Sequence, residues 1–388
     1  MDPTATISRH GVDRVRGGHS WVYRTDLTSV QAEGGDTVRV VGPRERVVGY
    51  ALYSDRSEIA LRMLTHGDTP AGPALWRARL ARAAAYRQAL GIDATAFRLV
   101  HGEGDLLPSL IVDRYGEYLV VQTLSQGVDR QLPEIVAMLV EQERPAGILA
   151  RNDPRVRRLE GLELKVELVH GVVPPAVVIR EGGVEFEVDL WKGQKTGFFL
   201  DQRENRAAAA TYARGRLLDC FSYQGAFALA LARRCDEVTA LEVSADAVER
   251  IARNAARNGL TAVHARAVNV FDELRELERA GASFDTIVLD PPAFAKNKAA
   301  IPKALAGYKE VNLRALKLLA PGGILVTCSC SYHVDEGTFG AVVADAAYDA
   351  RVTVAVVEKR MQARDHPVLI GVPESYYLKC FILRKLES

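Results

Sequence analysis

Hydrophobic and polar positions alternate in short runs over the first seventy or so residues, and the period then changes twice along the chain. The runs 37–41, 47–53 and 59–63 are rich in Val, Ile, Leu and Tyr and are separated by Gly, Pro and Asp, which predicts the strands of a small β-barrel. Ahead of them, Gly17-Gly-His-Ser-Trp-Val-Tyr23 predicts a tight turn into a packed edge. Between residues 75 and 90 apolar residues recur at helical spacing. The stretch 97–187 is mixed, with strands expected at 110–113, 118–124, 148–150 and 177–179 and a helix at 132–142. Beyond residue 186 the chain alternates strand and helix: strands at 216–221, 237–242, 286–290 and 323–327, helices at 226–234, 245–258 and 303–319. Nearly continuous apolar strands separated by helices predict a parallel, doubly wound sheet with ligands at the carboxyl ends of its strands. The organisation expected is therefore a β-barrel over residues 1–72, an α+β domain over 73–186 and an α/β domain over 187–388.

Composition adds exclusions. With 388 residues, 48% hydrophobic and 26% charged, the chain is neither disordered nor fibrous. Its formal net charge of +1 gives no global attraction to nucleic acid or anionic lipid, so a polyanion must be held by a local patch. No apolar run approaches a membrane span and the first residues lack a secretory pattern, which predicts a cytoplasmic protein with no membrane partner. Five cysteines, only Cys328 and Cys330 close together, fit neither a disulfide framework nor a zinc site.

Four features fall at the ends of successive predicted strands, so the fold would gather them on one rim. Asp219-Cys-Phe-Ser-Tyr-Gln-Gly225 leads into a helix like a nucleotide-binding loop, but with Phe221 and Tyr223 where glycines commonly stand; Ser222, Tyr223 and Gly225 are the cofactor-binding candidates in it. Glu242 ends the next strand 23 residues after Asp219, the offset at which a carboxylate accepts both hydroxyls of a ribose. Asn269, in Val268-Asn-Val-Phe-Asp272, is either a turn residue or a hydrogen-bond partner for an adenine amino group. Asp290-Pro-Pro-Ala-Phe294 forms a rigid extended edge suited to a flat base, the carboxylate against the ring edge and Phe294 near its face. Thr327-Cys-Ser-Cys-Ser331 supplies a thiol, the neutral side chain with useful nucleophilicity at neutral pH. A buried Cys328 beside an exposed Cys330 requires the strand to turn near Ser329.

Together with Gly193-Gln-Lys-Thr-Gly-Phe-Phe-Leu-Asp-Gln-Arg203, these motifs resemble the RlmI/RlmO-type family over nearly the whole chain. Those proteins are S-adenosylmethionine-dependent 5-methylcytosine methyltransferases of large-subunit (23S) ribosomal RNA. The resemblance implies an N-terminal PUA domain, a central α+β domain and a C-terminal Rossmann-like methyltransferase domain. It also implies S-adenosyl-L-methionine as cofactor, large-subunit rRNA as partner, Cys330 as nucleophile, Asp290 as its catalytic companion and a cofactor contact, and Glu242 and Asn269 as cofactor contacts. Thr196 and Gln202 are candidates in the stretch that closes over the cofactor. Many other RNA 5-methylcytosine enzymes carry a second cysteine after the Asp-Pro motif, where this chain has Pro292-Ala293, so product release needs another base.

RNA contacts are expected from Lys296 and Lys298, with Lys303 and Lys309 further on, from Phe294, and from Arg14, Arg16 and Arg24 around Trp21. A homodimer is compatible with this reading. Two alternatives stay open: methylation of a guanine on the same fold, and a non-catalytic RNA-binding assembly factor. A nicotinamide dehydrogenase would want the glycines that Phe221 and Tyr223 replace.

Overall fold

The computed structural model describes residues 3–295 and 297–387. The chain divides into two compact units, each built from three segments: 1–179, 188–201 and 364–375 in the first, and 180–187, 202–363 and 376–388 in the second.

The first unit carries two sheets. The six-stranded sheet runs, in spatial order, Trp21–Tyr23, Ile59–His66, Val47–Tyr53, Thr37–Val41, Thr4–Ile7 and Leu27–Gln31. Alternate residues such as Val38, Val40, Ala51 and Leu61 close with Val12 and Val15 of the helix Arg9–Arg16 into a core of their own. That helix starts where the Ser8 hydroxyl accepts from Gly11 N, and the sequence reading missed it because its eight residues carry only two buried valines among four charges. The expected edge after Gly17 is present, Trp21–Tyr23 being the last strand of the sheet. The second sheet, of five strands, packs Leu110, Val112, Leu119 and Val121 against Trp76 and Leu80 of the helix Pro73–Ala89 and Ile135 and Leu139 of the helix Leu132–Glu143. The late segment 364–375 is built into this unit: Arg98 N donates to Asp365 Oδ2 (2.9 Å), Tyr86 OH to the Arg364 carbonyl (3.0 Å), and the rings of His101 and His366 lie 5.1 Å apart in its interior.

The second unit is one seven-stranded sheet with helices. Its strands are β1 (Arg216–Cys220), β2 (Glu237–Glu242), β3 (Val263–Ala267), β4 (Phe284–Leu289), β5 (Leu319–Ser329), β6 (Thr353–Arg360) and β7 (Lys379–Glu387). Its helices are α1 (Arg203–Tyr212), α2 (Ala226–Ala232), α3 (Ala245–Arg257), α4 (Val270–Arg279), α5 (Ile301–Leu318) and α6 (Glu336–Ala350). The spatial order is β3-β2-β1-β4-β5-β7-β6, parallel from β3 to β5, with β7 inserted antiparallel between β5 and β6. The order reverses between β1 and β4, and in open α/β sheets ligands bind outside the carboxyl ends at such a switch point. Leu218, Leu241, Ile287, Leu289 and Leu325 of the central strands are fully buried with Tyr308, Val311 and Leu316 of α5, as the apolar runs require.

Candidate active site

The loop after β1 is set by backbone geometry. Phe221 (φ 64°), Tyr223 (φ 50°) and Gly225 (φ 79°) all lie in the left-handed region, so two aromatic residues adopt the conformation that glycines commonly supply in such loops. Strain of this kind persists where the surroundings over-determine it. Here Tyr223 N donates to Glu242 Oε2 (2.9 Å), Ser222 N to the Leu241 carbonyl (3.1 Å) and Gly225 N to the Ser222 carbonyl (2.8 Å). Gly225 is also sterically required, because a Cβ there would stand 2.6 Å from Leu229 Cδ1.

Glu242 ends β2 as expected. Its Oε1 accepts from Val243 N (2.8 Å) and Ser244 N (3.0 Å), which fixes the carboxylate at the sheet's edge facing the loop. Val243 beside it is 73% exposed, an apolar side chain that sequence reasoning passed over and that can cover the face of a flat ring. Asp219 is buried, with Oδ2 accepting from Ser222 Oγ and Ala228 N. Burial pushes its carboxyl up to about 7, and the charges of Asp290 and Glu242 act in the same direction. Asp219, Asp290 and Glu242 are thus near enough around the switch point for their charges to act on one another.

Asp290 N donates to the Cys220 carbonyl at 3.4 Å, tying the exits of β4 and β1 together. Its Oδ1 accepts from Gln202 Nε2 at 2.9 Å. Gln202 is oriented in turn by Asn205, whose Nδ2 donates to Gln202 Oε1 (2.6 Å), and Arg360 Nε donates to Asn205 Oδ1 (3.1 Å). Asn205 and Arg360 escaped the sequence reading because neither belongs to a recognisable motif; a buried Asn one turn into a helix was the one available signal.

The thiols separate as the turn requires. Strand β5 ends at Ser329, leaving Cys328 inside the ladder, fully buried opposite Cys380, and Cys330 outside it and partly exposed. Burial pushes the Cys328 thiol well up, whereas Cys330 Sγ lies 3.9 Å from the Pro291 carbonyl. Ser331 Oγ accepts from Ala295 N (3.2 Å) and meets Tyr308 OH (2.9 Å), so the residue after Cys330 is pinned to the loop that follows β4 and to α5.

Several expected contacts are differently placed. Phe294 is packed into an aromatic ladder with Tyr308 (4.7 Å between centroids), Phe271 (5.9 Å) and Phe221 (6.3 Å), so its ring serves the core before it serves a base. Tyr332, 47% exposed just after Cys330, is the aromatic residue at the rim. The Ser222 hydroxyl is engaged with Asp219 inside the loop. Asn269 caps α4, its Oδ1 accepting from Phe271 N at 2.9 Å, which leaves the amide N–H group rather than the oxygen to meet a purine. Thr196 belongs to the first unit, buried, its hydroxyl hydrogen-bonded to Asp113 Oδ2 (2.6 Å) and Tyr115 OH (2.8 Å). Lys296 lies outside the described residues, as does the side chain of Lys298. Lys309 is held by Asp345 (2.6 Å) and Asp349 (2.8 Å). Arg14 stacks on Tyr23 at 4.7 Å, and Arg24 donates to the Ser54 and Ser57 carbonyls. Arg16 instead lines a groove of about 610 Å³ in the first unit with Arg9, Arg44 and Arg46 over Val12 and Val48. None of these four arginines makes an ion pair among the described residues, and Asp13 is the one carboxylate in the lining.

Comparison with known proteins decides the family. A family model described as S-adenosylmethionine-dependent methyltransferase matches residues 150–367, and one described as a PUA-like domain matches residues 5–66. The chain belongs to the S-adenosylmethionine-dependent methyltransferases. Among curated relatives, the ribosomal RNA large subunit methyltransferase I of Tolumonas auensis is 40% identical over 379 residues, covering 95% of this chain and 96% of its own. The fold is shared with a protein of Streptococcus mutans described as a SAM-dependent methyltransferase (TM-score 0.84, 19% identity, 99% of this chain and 100% of that one). It is shared equally with a methyltransferase complexed with SAH (TM-score 0.86, 19% identity, 99% and 100%). If the cofactor binds at this rim, Glu242 would be the residue to meet ribose hydroxyls and the exposed Val243 the one to cover a flat ring.

Proposed function

We propose that this methyltransferase transfers a methyl group to carbon 5 of a cytosine in large-subunit ribosomal RNA through a covalent adduct with Cys330. The observation carrying this reading is that Cys330, alone of the strand-end pair, leaves the β5 ladder and lies against the Pro291 carbonyl beside Asp290. The rRNA substrate is the one named for the relatives at 40% identity, and the PUA-like domain with its arginine-lined groove supports it.

S-adenosylmethionine, when bound, supplies an electrophilic methyl group. The protein must make carbon 5 nucleophilic. Cys330 thiolate adds to carbon 6, forming the S–C bond and moving the ring electron pair toward carbon 5. Asp290, held through Oδ1 by Gln202, meets the N3 and amino edge of the pyrimidine, giving a proton to N3 as the adduct forms and taking it back on elimination, so the added electron pair is neutralised. After methylation the carbon 5 proton leaves to a base, the electron pair returns to the ring, and the S–C6 bond breaks to release Cys330. The target base must leave its stack, costing a few kcal/mol unless it is unpaired, which favours naked or partly assembled rRNA.

The test is transfer of labelled methyl from S-adenosylmethionine to deproteinised large-subunit rRNA, with nucleoside analysis, for wild type, Cys330→Ala and Cys328→Ala. The expected result is 5-methylcytidine that disappears with Cys330→Ala and persists with Cys328→Ala. A methylguanosine product, or full activity of Cys330→Ala, overturns the reading.

A further inference from the structure

Lys379 opens β7 with its Cα paired to Ser329, the last residue of β5, so it flanks the point where Cys330 leaves the sheet. Its side chain is 2% exposed. The ammonium donates to the carbonyls of Ser331 (2.8 Å) and Tyr377 (2.9 Å), two acceptors for three N–H groups, and no carboxylate of the described residues lies within ion-pair distance. A buried charge without a counter-charge is costly and uncommon.

Lys385, six residues along the same strand, shows how such a charge is ordinarily tolerated. It is also buried, and it donates to the carbonyls of Leu316 (3.3 Å) and Leu319 (2.7 Å) at the end of α5, where unpaired carbonyls and the helix dipole offer negative potential. Lys379 has no helix end. Its carbonyl acceptors lie in loops, and the two groups that act on its charge favourably are Cys330 and Asp335. Asp335 also caps α6, accepting from Thr338 N (2.7 Å), and it lies beyond ion-pair distance of the ammonium although each charge favours the other.

We propose that Lys379 is the counter-ion of Cys330, holding the thiolate form that attacks the pyrimidine and fixing the Ser331 carbonyl that orients it. This inference rests on Cys330 as the nucleophile. Lys379 acts through the thiol and is a positioning residue. Burial brings its ammonium down to about 8 against the upward pull of the Cys330 thiolate, so each group favours the charged form of the other. Among the described residues, Tyr308 from α5 also feels the Cys330 charge, Asp335 ahead of α6 acts on Lys379 itself, and His333, three residues after Cys330, packs edge-on against Tyr332 at 5.0 Å.

The experiment is site-resolved alkylation of Cys330 by iodoacetamide in the full-length protein, followed by mass spectrometry from about pH 6 to 10. It compares wild type with Lys379→Gln, Lys379→Met, Lys379→Arg and Lys385→Met. An opposite charge nearby lowers an acid by about 1 unit or more, so Lys379→Gln and Lys379→Met should move the midpoint up by that amount and slow labelling at pH 7 roughly tenfold. Lys379→Arg should stay near wild type, and Lys385→Met should not move the profile. Should Lys379→Met fail to fold, Lys379→Gln, which keeps the donors to both carbonyls and removes the charge, carries the test. An unmoved midpoint in Lys379→Gln, or an equal shift in Lys385→Met, overturns the proposal. Methyl transfer by Cys330→Ala separates the two ideas: activity there defeats the nucleophile, while the labelling profiles still report whether Lys379 controls the thiol.

Discussion

Gln202 hands its side-chain amide to Asp290 Oδ1 at 2.9 Å, so the carboxylate at the exit of β4 is aimed by a residue 88 positions earlier in the chain. Asn205 fixes which end of the Gln202 amide faces Asp290, because its own N–H donates to Gln202 Oε1. A hydrogen bond to a charged group contributes about 1.5–3 kcal/mol. Gln202→Ala should therefore lower kcat by roughly 10- to 100-fold with little change in cofactor affinity, and Asn205→Ala should lower it less. Steady-state kinetics beside calorimetric titration of S-adenosylhomocysteine checks the split; an equal loss of affinity would mean that Gln202 contacts the cofactor instead.

Asp219 makes stability depend on pH. Its carboxyl is raised in the folded protein from 3.8 to about 7, chiefly by burial, so the folded state holds the proton more tightly than the unfolded chain. The stabilising contribution is complete below about pH 4 and is lost as pH rises toward 7. At about 1.4 kcal/mol per pKa unit the full effect is at most roughly 4 kcal/mol. Asp219→Asn keeps an oxygen for Ser222 and Ala228 N and should become progressively more stable than wild type between pH 4 and 7 in urea denaturation. The same variant should lose more affinity for the cationic methyl donor than for its neutral thioether product.

Gly225→Ala places a methyl group 2.6 Å from Leu229 Cδ1 at a φ of 79°. A shifted loop moves Tyr223 N off Glu242. The expected loss is about 1–3 kcal/mol of stability together with weakened cofactor binding, read from denaturant midpoints and titration.

The four arginines of the first unit give a salt-dependent prediction. Replacing Arg9, Arg44 or Arg46 by Glu should weaken rRNA binding and reduce the slope of log affinity against log salt by about 0.7–0.9 for each phosphate no longer neutralised. With RNA saturating, kcat should hold. Arg14→Ala, which removes a stacking partner of Tyr23, should leave that slope near wild type.

What could be read from sequence follows the physics of each element. The strands of the second unit were legible where both faces are buried, as in β1, β2 and β4, and β3 was missed because Val263-His-Ala-Arg-Ala267 is a half-exposed edge strand without an apolar run. Phe221 and Tyr223 stood out as substitutes for glycine, and the backbone confirms that they take up glycine's conformation. For Phe294 the motif fixes where the residue sits and packing with Tyr308 decides which way its ring turns. Lys309 was a charge in the sequence and is an ion pair in the fold. Asn205, Arg360 and Lys379 belong to no motif, and contacts between distant segments, Arg360 with Asn205 and Lys379 with Ser331, give them their places.

The threading of the chain governs the order in which the protein can be made. Residues 364–375 complete the interior of the first unit, where Arg98 and Arg87 reach Asp365. The polar groups around Arg98 are therefore completed only by a segment from the far end of the chain, whereas the six-stranded sheet closes its core from residues 5–63 alone. A fragment that stops before residue 364 lacks a segment of each unit: 364–375 of the first, and 376–388, which carries β7, of the second.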